Sequence, residues 1–323
     1  MANITFIIGN GLDLSLGLET SYRDFFEYVK SQNLHPENRI YKAIQESPET
    51  WADFELALGQ YTHYIDKLPE KDRKKESMDF HEELELLRED LAEYLDKQEK
   101  SVENMPNKPI FTGTAYFEEL PIGQTNRIQS YVSRLPTNIE FVTLNYTDVL
   151  EKILPDSRAL LAQQSIKVGV PHHIHGNLLE NLTLGVSDES QLSPSMSGTE
   201  KDDLIKPSLI YSMNDGRIET LRQMINNSSI IVIFGTSIGE TDKYIWEFIN
   251  NWLEASRDRY IIIHKYDNTY SDSMRRSSRR QKQFTSNVQD KILRYSGLDG
   301  DGIAELKNRI FVIHNTKKLF VAE

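Results

Sequence analysis

Cysteine is absent from this chain, which rules out disulfides, thiolate nucleophiles and cysteine-built zinc or iron–sulfur sites. The same absence fits a reducing compartment, so a cytoplasmic protein is expected. No apolar run approaches the ~20 residues of a membrane span. The short apolar stretch at the N-terminus has no basic flank and reads as a strand, not as a secretion signal. Positive charge is in deficit: 37 basic against 49 acidic residues leave a net charge of −12. An acidic surface repels phosphate backbones, which counts against nucleic acid as a partner. Internal repeats and low-complexity tracts are also missing.

What is present suits a folded α/β protein. The 323 residues suffice for one large domain or two, and 38% are aliphatic or aromatic. Residues 4–8 (ITFII) form an apolar run that enters the turn Gly9-Asn10-Gly11-Leu12-Asp13. Three later segments end in the same way: FVTLNYTD at 141–148, HHIHG at 172–176 and IIVIFGTSIG at 230–239. A strand that stops in small or polar residues before a helix leaves unpaired N–H groups, which suits phosphate. Several such ends along a parallel sheet make the ligand crevice of a doubly wound fold.

The 130 residues or so between the first and second strands read as helix. Tyr22, Phe25, Phe26 and Val29 recur at helical spacing, as do Phe54, Leu58, Tyr61 and Ile65, with Thr20-Ser21 and Thr50 or Asp53 as candidate caps. From Pro69 to about Gln98 a charged stretch carries Phe80, Leu84, Leu87, Leu91 and Leu95 on one stripe, the pattern of a long amphipathic helix. After residue 138 short strands alternate with helices. Strands are expected at 139–144, 166–170, 182–186, 229–234, 259–264 and 309–314, and helices at 147–153, 216–226, 241–255 and within 270–295. Segment 187–203 is polar and rich in Ser and reads as a loop. The expected organisation is a nucleotide-binding core of residues 1–19 and 138–323 with a helical insertion at 20–137. Its leucine seam could serve a homo-oligomer. The basic run Arg275, Arg276, Arg279, Arg280 and Lys282 reads as solvated or intramolecularly paired.

Gly9-x-Gly11 alone is a weak signal, because position 14, where a dinucleotide fingerprint needs glycine, is Leu14. Asp13 reads equally as a turn cap or a ligand. Asn145 stands at the C-terminal end of its strand, where an amide can orient a water and a ribose hydroxyl together. His173 and His175 share a face of an extended chain and could bind metal, but no acidic residue in the segment completes such a site. His175, placed by the turn at Gly176, is therefore expected to be a catalytic base. Gly235, Thr236 and Ser237 offer close backbone approach and two hydroxyls, and Asp242 follows at a helix start.

Together these segments resemble the AbiH family of bacterial abortive-infection proteins. FIIGNGLDLSLGLETSYRDFF, Trp51-x-Asp53-Phe54-Glu55, LNYTD, HIHG and GTSIGETDKY occur in that family's order across nearly the whole chain. The order is also similar to a remote sirtuin-type NAD-binding fold. That likeness implies a three-layer, parallel, Rossmann-like sheet. It places Gly9, Asn10, Gly11 and Asp13 on a first NAD-binding turn, and Thr143 and Asn145 on a second, with Asp148 displaced by one position. His175 and Gly176 fall on the catalytic histidine, and Gly235, Thr236 and Ser237 on the ribose turn. A cysteine-free chain cannot hold the sirtuin zinc module, so protein deacylation is disfavoured. The resemblance implies hydrolysis of NAD to nicotinamide and ADP-ribose in phage defence, without metal and in response to an unknown phage trigger. The alternatives are a nucleotide-sensing or partner-binding module without turnover, and an RNA- or DNA-processing enzyme.

Overall fold

The computed structural model describes residues 2–46, 53–103, 105, 109–132, 137–180, 182–268, 277–316 and 318–321. Thr50, Trp51, Arg275 and Arg276 lie outside them. The strands of the main sheet are β1 (Ala2–Ile8), β3 (Thr137–Thr143), β4 (Lys167–Val168), β5 (His172–His173), β6 (Ile230–Phe234), β7 (Tyr260–Lys265) and β8 (Ile310–His314). They run in the order β4-β3-β1-β6-β7-β8, with β5 also on β3, and every pairing is parallel. Two further strands, β2 (Ile110–Phe111) and β9 (Phe320–Val321), form a separate antiparallel pair.

The strands are apolar on both faces, as a sheet covered by helices on each side requires. On one face Ile4, Phe6, Ile8, Phe141 and Val232 pack with α6 (Ile122–Val132) and α7 (Val149–Gln163). On the other, Ile7, Val142, Ile233 and Ile263 meet α10 (Arg217–Asn227), α11 (Lys243–Glu254) and α12 (Ser278–Leu293). Only α13 (Gly300–Lys307) separates α12 from β8.

Between β1 and β2 lie α1 (Gly11–Ser15), α2 (Tyr22–Gln32), α3 (Arg39–Glu46), α4 (Phe54–Asp66) and α5 (Glu70–Glu103). Ser21 caps α2 in a reciprocal box with Asp24, and Asp53 caps α4. In the 34-residue α5 the seam Phe80, Leu84, Leu87, Leu91 and Leu95 is buried, at the expected spacing. These helices share a third core with Tyr146, Leu184, Val186, Leu204 and Ile205. Helical side chains are thereby packed against the loops that follow the strand ends.

Four local expectations are corrected. Residues 182–186 form no strand. Their backbone bonds go to Arg88, Tyr146, His175, Glu55, Leu204 and Lys206, and Val186 makes one isolated bridge to Ile205. A buried, extended segment with no strand beside it has only such partners available. Segment 187–203 is not a plain loop: it holds a 3₁₀ turn at Glu189–Gln191 and the short helix α8 (Gly198–Asp202), each closed by a capping box. The strand expected at 166–170 contracts to Lys167–Val168, and α7 runs ten residues beyond the expected end at 153.

Candidate functional site

Because β3, β1 and β6 are neighbours in parallel register, Thr143, Ile8 and Phe234 end side by side. The chain turns away from the sheet in opposite directions on the two sides of β1. A cavity of about 1050 Å³ opens at this point, enough for a dinucleotide-sized ligand. Gly9, Asn10, Gly11, Asn145, His175, Gly235, Thr236, Ser237 and Asp242 all line it. Its other wall comes from α2 to α5 and includes Tyr22, Arg23, Lys30, Asp53, Glu55 and Leu91.

The two glycine turns interlock. Gly9 N–H donates to the Phe234 carbonyl at 2.9 Å and Gly11 N–H to the Gly235 carbonyl at 2.7 Å. A Cβ on Gly11 would stand 2.5 Å from Gly235 Cα, inside any allowed contact. The glycines are needed for backbone-on-backbone packing, and these two amides are already engaged. The helix that follows has only five residues and little dipole to offer. Asn10 also turns inward, exchanging hydrogen bonds with Thr20 at 2.7 and 2.9 Å.

Four expected ligand residues are not on the cavity wall. Asp13 is fully buried behind it, where Oδ1 accepts from Asn145 Nδ2 at 2.9 Å and Oδ2 from Thr147 Oγ1 at 2.6 Å. Burial pushes its carboxyl up to about 7. Thr143 is buried too, its hydroxyl accepting from the Asn145 N–H. Gly176 supplies a positive φ of 80° in the turn after His175. Asp148 points toward His173 and Glu151.

Asn145 is the consequence of this scaffold. Its NH₂ is fixed on Asp13, so the amide's other end, Oδ1, is the acceptor that remains. The side chain is 8% exposed, and Oδ1 is buried without a hydrogen-bond partner among the described residues. A buried acceptor left unpaired costs on the order of 1–3 kcal/mol, which a ligand hydroxyl or water would recover.

His175 is 3% exposed. Its Nε2 lies 3.2 Å from the Tyr244 hydroxyl and 3.3 Å from Asp242 Oδ1, and the ring also bonds the backbone of Leu144. Burial, and then the charge of Lys206, hold the imidazole below its usual range, so it is neutral at pH 7. Sequence reasoning missed the group that organises this end of the cavity. Lys206, at the start of α9 (Lys206–Ser212), is 1% exposed and donates to Glu55 Oε2 at 2.6 Å and Asp242 Oδ1 at 2.8 Å. Burial alone would pull the ammonium down, but Asp242 and Glu55 outweigh it and hold it protonated. Asp242 stays ionised between Lys206 and His175, well below the usual carboxylate range despite its burial. Glu55, with only Lys206 opposite, is pushed up by burial. No local pattern marks Lys206, since a lysine in a polar stretch is ordinarily solvated.

The family model for bacteriophage abortive infection AbiH matches residues 5–293. The chain belongs to the AbiH family. The match spans both glycine turns, Asn145, His175, Glu55 and Lys206, so the whole cavity lies within it. No curated protein matches the sequence. An abortive-infection family points to a role in defence against bacteriophage. No described helix is long and apolar enough to cross a membrane.

Proposed function

We propose that this AbiH protein defends against phage by hydrolysing NAD to nicotinamide and ADP-ribose in this cavity. The fold would then be a sirtuin-like Rossmann type, with residues 20–137 inserted after the first strand and α2 to α5 of that insertion closing the cavity. The observation that carries the proposal is the unpaired Asn145 Oδ1, buried beside His175 at the ends of parallel strands. The nicotinamide–ribose bond breaks through an oxocarbenium-like state, which needs positioning and charge stabilisation more than covalent help. Asn145 Oδ1 accepts a hydrogen from the attacking water or a ribose hydroxyl. Water adds at the ribose carbon, nicotinamide leaves with the bonding pair, and the proton released passes to the neutral His175. Asp242, fixed by Lys206, then stabilises the imidazolium. Arg23, Lys30 and Lys265 line the same cavity and are the cations that would face the pyrophosphate.

Purified protein incubated with NAD should release nicotinamide and ADP-ribose, detected by chromatography. Asn145→Ala and His175→Ala should stay folded and lose a factor of ~10² to 10⁴ in rate. Both should also cease to protect cells from phage. Wild-type turnover in both variants would end the proposal. A second reading, a nucleotide sensor without turnover, is favoured by one observation: His175 Nε2 is already engaged by Tyr244 and Asp242. NAD that binds calorimetrically and stays intact would select it.

A further inference from the structure

Three side chains of metal-ligand type meet outside the cavity, where α7 begins beside β5. Asp148 is the N-cap of α7, Glu151 stands three residues on in its first turn, and His173 arrives from β5. Their ligand atoms all lie within 4.8 Å of one another. His173 Nε2 is 2.9 Å from Glu151 Oε1 and 3.5 Å from Asp148 Oδ1. Adjacent ligands on an octahedral ion with bonds of about 2.1 Å are about 3 Å apart, so the cluster already has the right span.

Two other observations point to a ligand. Glu151 Oε2 is buried and has no hydrogen-bond partner among the described residues. The His173 side chain is only 9% exposed, and its Nδ1 lies 3.0 Å from the Asn145 carbonyl oxygen. A carbonyl only accepts, so Nδ1 carries the hydrogen, and Nε2 is the ring atom that faces the two carboxylates. This is how ligating histidines are ordinarily held, with the far nitrogen donating to a backbone oxygen. The nearby cation does not fill the gap, because Lys152 pairs with Glu99 and Glu103, each at 3.0 Å.

We infer that Asp148, Glu151 and His173 form a divalent-cation site for Mn²⁺ or Zn²⁺, distinct from the NAD cavity. One imidazole with two carboxylates suits these ions better than Ca²⁺, which takes oxygen ligands alone. The ion ties the start of α7 to β5. Through the His173–Asn145 hydrogen bond it also stiffens the backbone that presents Asn145 to the cavity. A sequence-based search misses the site because it looks for acidic partners within residues 172–176, whereas the fold brings them from residues 148 and 151.

Mn²⁺ binding to the full chain, stripped with EDTA and dialysed, tests this by calorimetry and electron paramagnetic resonance. One saturable site per chain is expected, with pulsed spectra showing coupling to an imidazole nitrogen. Asp148→Asn combined with Glu151→Gln should weaken binding at least about tenfold, and His173→Gln should remove the nitrogen coupling. Glu151→Gln alone is the conservative control, and its folding is checked by circular dichroism. No saturable binding, or equal affinity in wild type and the double variant, would overturn the site. The readouts do not depend on NAD cleavage.

Discussion

Asp13 and Asn145 show how one buried carboxylate can set the chemistry of a neighbour. Asp13 accepts from both Asn145 and Thr147, so a change at Asp13 reaches the cavity only through the amide it holds. Asp13→Asn swaps one acceptor for a donor. The Asn145 amide then has reason to turn over, presenting NH₂ where Oδ1 stood, and a fall in NAD cleavage with little change in NAD affinity is expected. Stability should respond in a definite direction. With its carboxyl near 7 in the fold and near 3.8 in the unfolded chain, Asp13 binds its proton more tightly when folded. Its contribution to stability is therefore fully present below pH 4 and is lost as pH rises to 7, at a cost of roughly 4 kcal/mol at most. Urea titrations from pH 4 to 8 should show that decline in the wild type and a flatter profile in Asp13→Asn. Gly11→Ala makes a contrasting case at the same scale. Its Cβ would strike the Gly235 backbone, so the two turns must part, with a loss of about 1–3 kcal/mol in denaturation.

Lys206 joins three elements: α9, which it begins, α4 through Glu55, and the turn before α11 through Asp242. Lys206→Met would leave two carboxylates buried together without a cation. A loss of about 3–5 kcal/mol is expected by chemical denaturation, more than Glu55→Gln costs, since that change keeps the Lys206–Asp242 pair. Combining Lys206→Met with Glu55→Gln should recover part of the loss. This network also marks where the sequence ceases to be legible. The strands expected at 139–144, 229–234 and 259–264 stand out because buried parallel strands are continuous apolar runs, and Asn145 and His175 stand out because they follow such runs. The α5 seam is equally plain from its 3.6-residue period. Lys206 leaves no such trace, and the motif that contains Glu55 does not show its partner, because the pairing spans 151 positions and depends on the packing of α4 against residues 182–205. Segment 182–186 misleads for the opposite reason: it has strand composition and burial but no strand beside it. The helix at 198–202 was within reach, since Ser197-x-x-Glu200 is a capping box.

At the scale of the whole molecule, the cavity belongs to neither the sheet nor the helices alone. Its floor is the strand-end turns at 9–11, 145–147 and 235–237, and its opposite wall carries Tyr22 and Arg23 from α2, Glu55 from α4 and Leu91 and Leu95 from α5. A ligand seated there must touch both sides, so its binding energy couples two bodies of structure that otherwise meet through the third core. Any ligand that prefers the folded state stabilises it by RT ln(1 + [L]/Kd), about 2.7 kcal/mol at a hundredfold excess over Kd. ADP-ribose, the proposed product, is suited to the measurement because it is not consumed. It should slow amide hydrogen exchange in the turns at 9–12 and 235–239 and, in the same titration, in α2 and the segment of α5 around Leu91. Arg23→Glu with Lys265→Glu should weaken the protection on both sides by the same factor, since one bound molecule produces both. Protection confined to the strand-end turns would mean that the helices only cover the cavity, and the joint site would be abandoned.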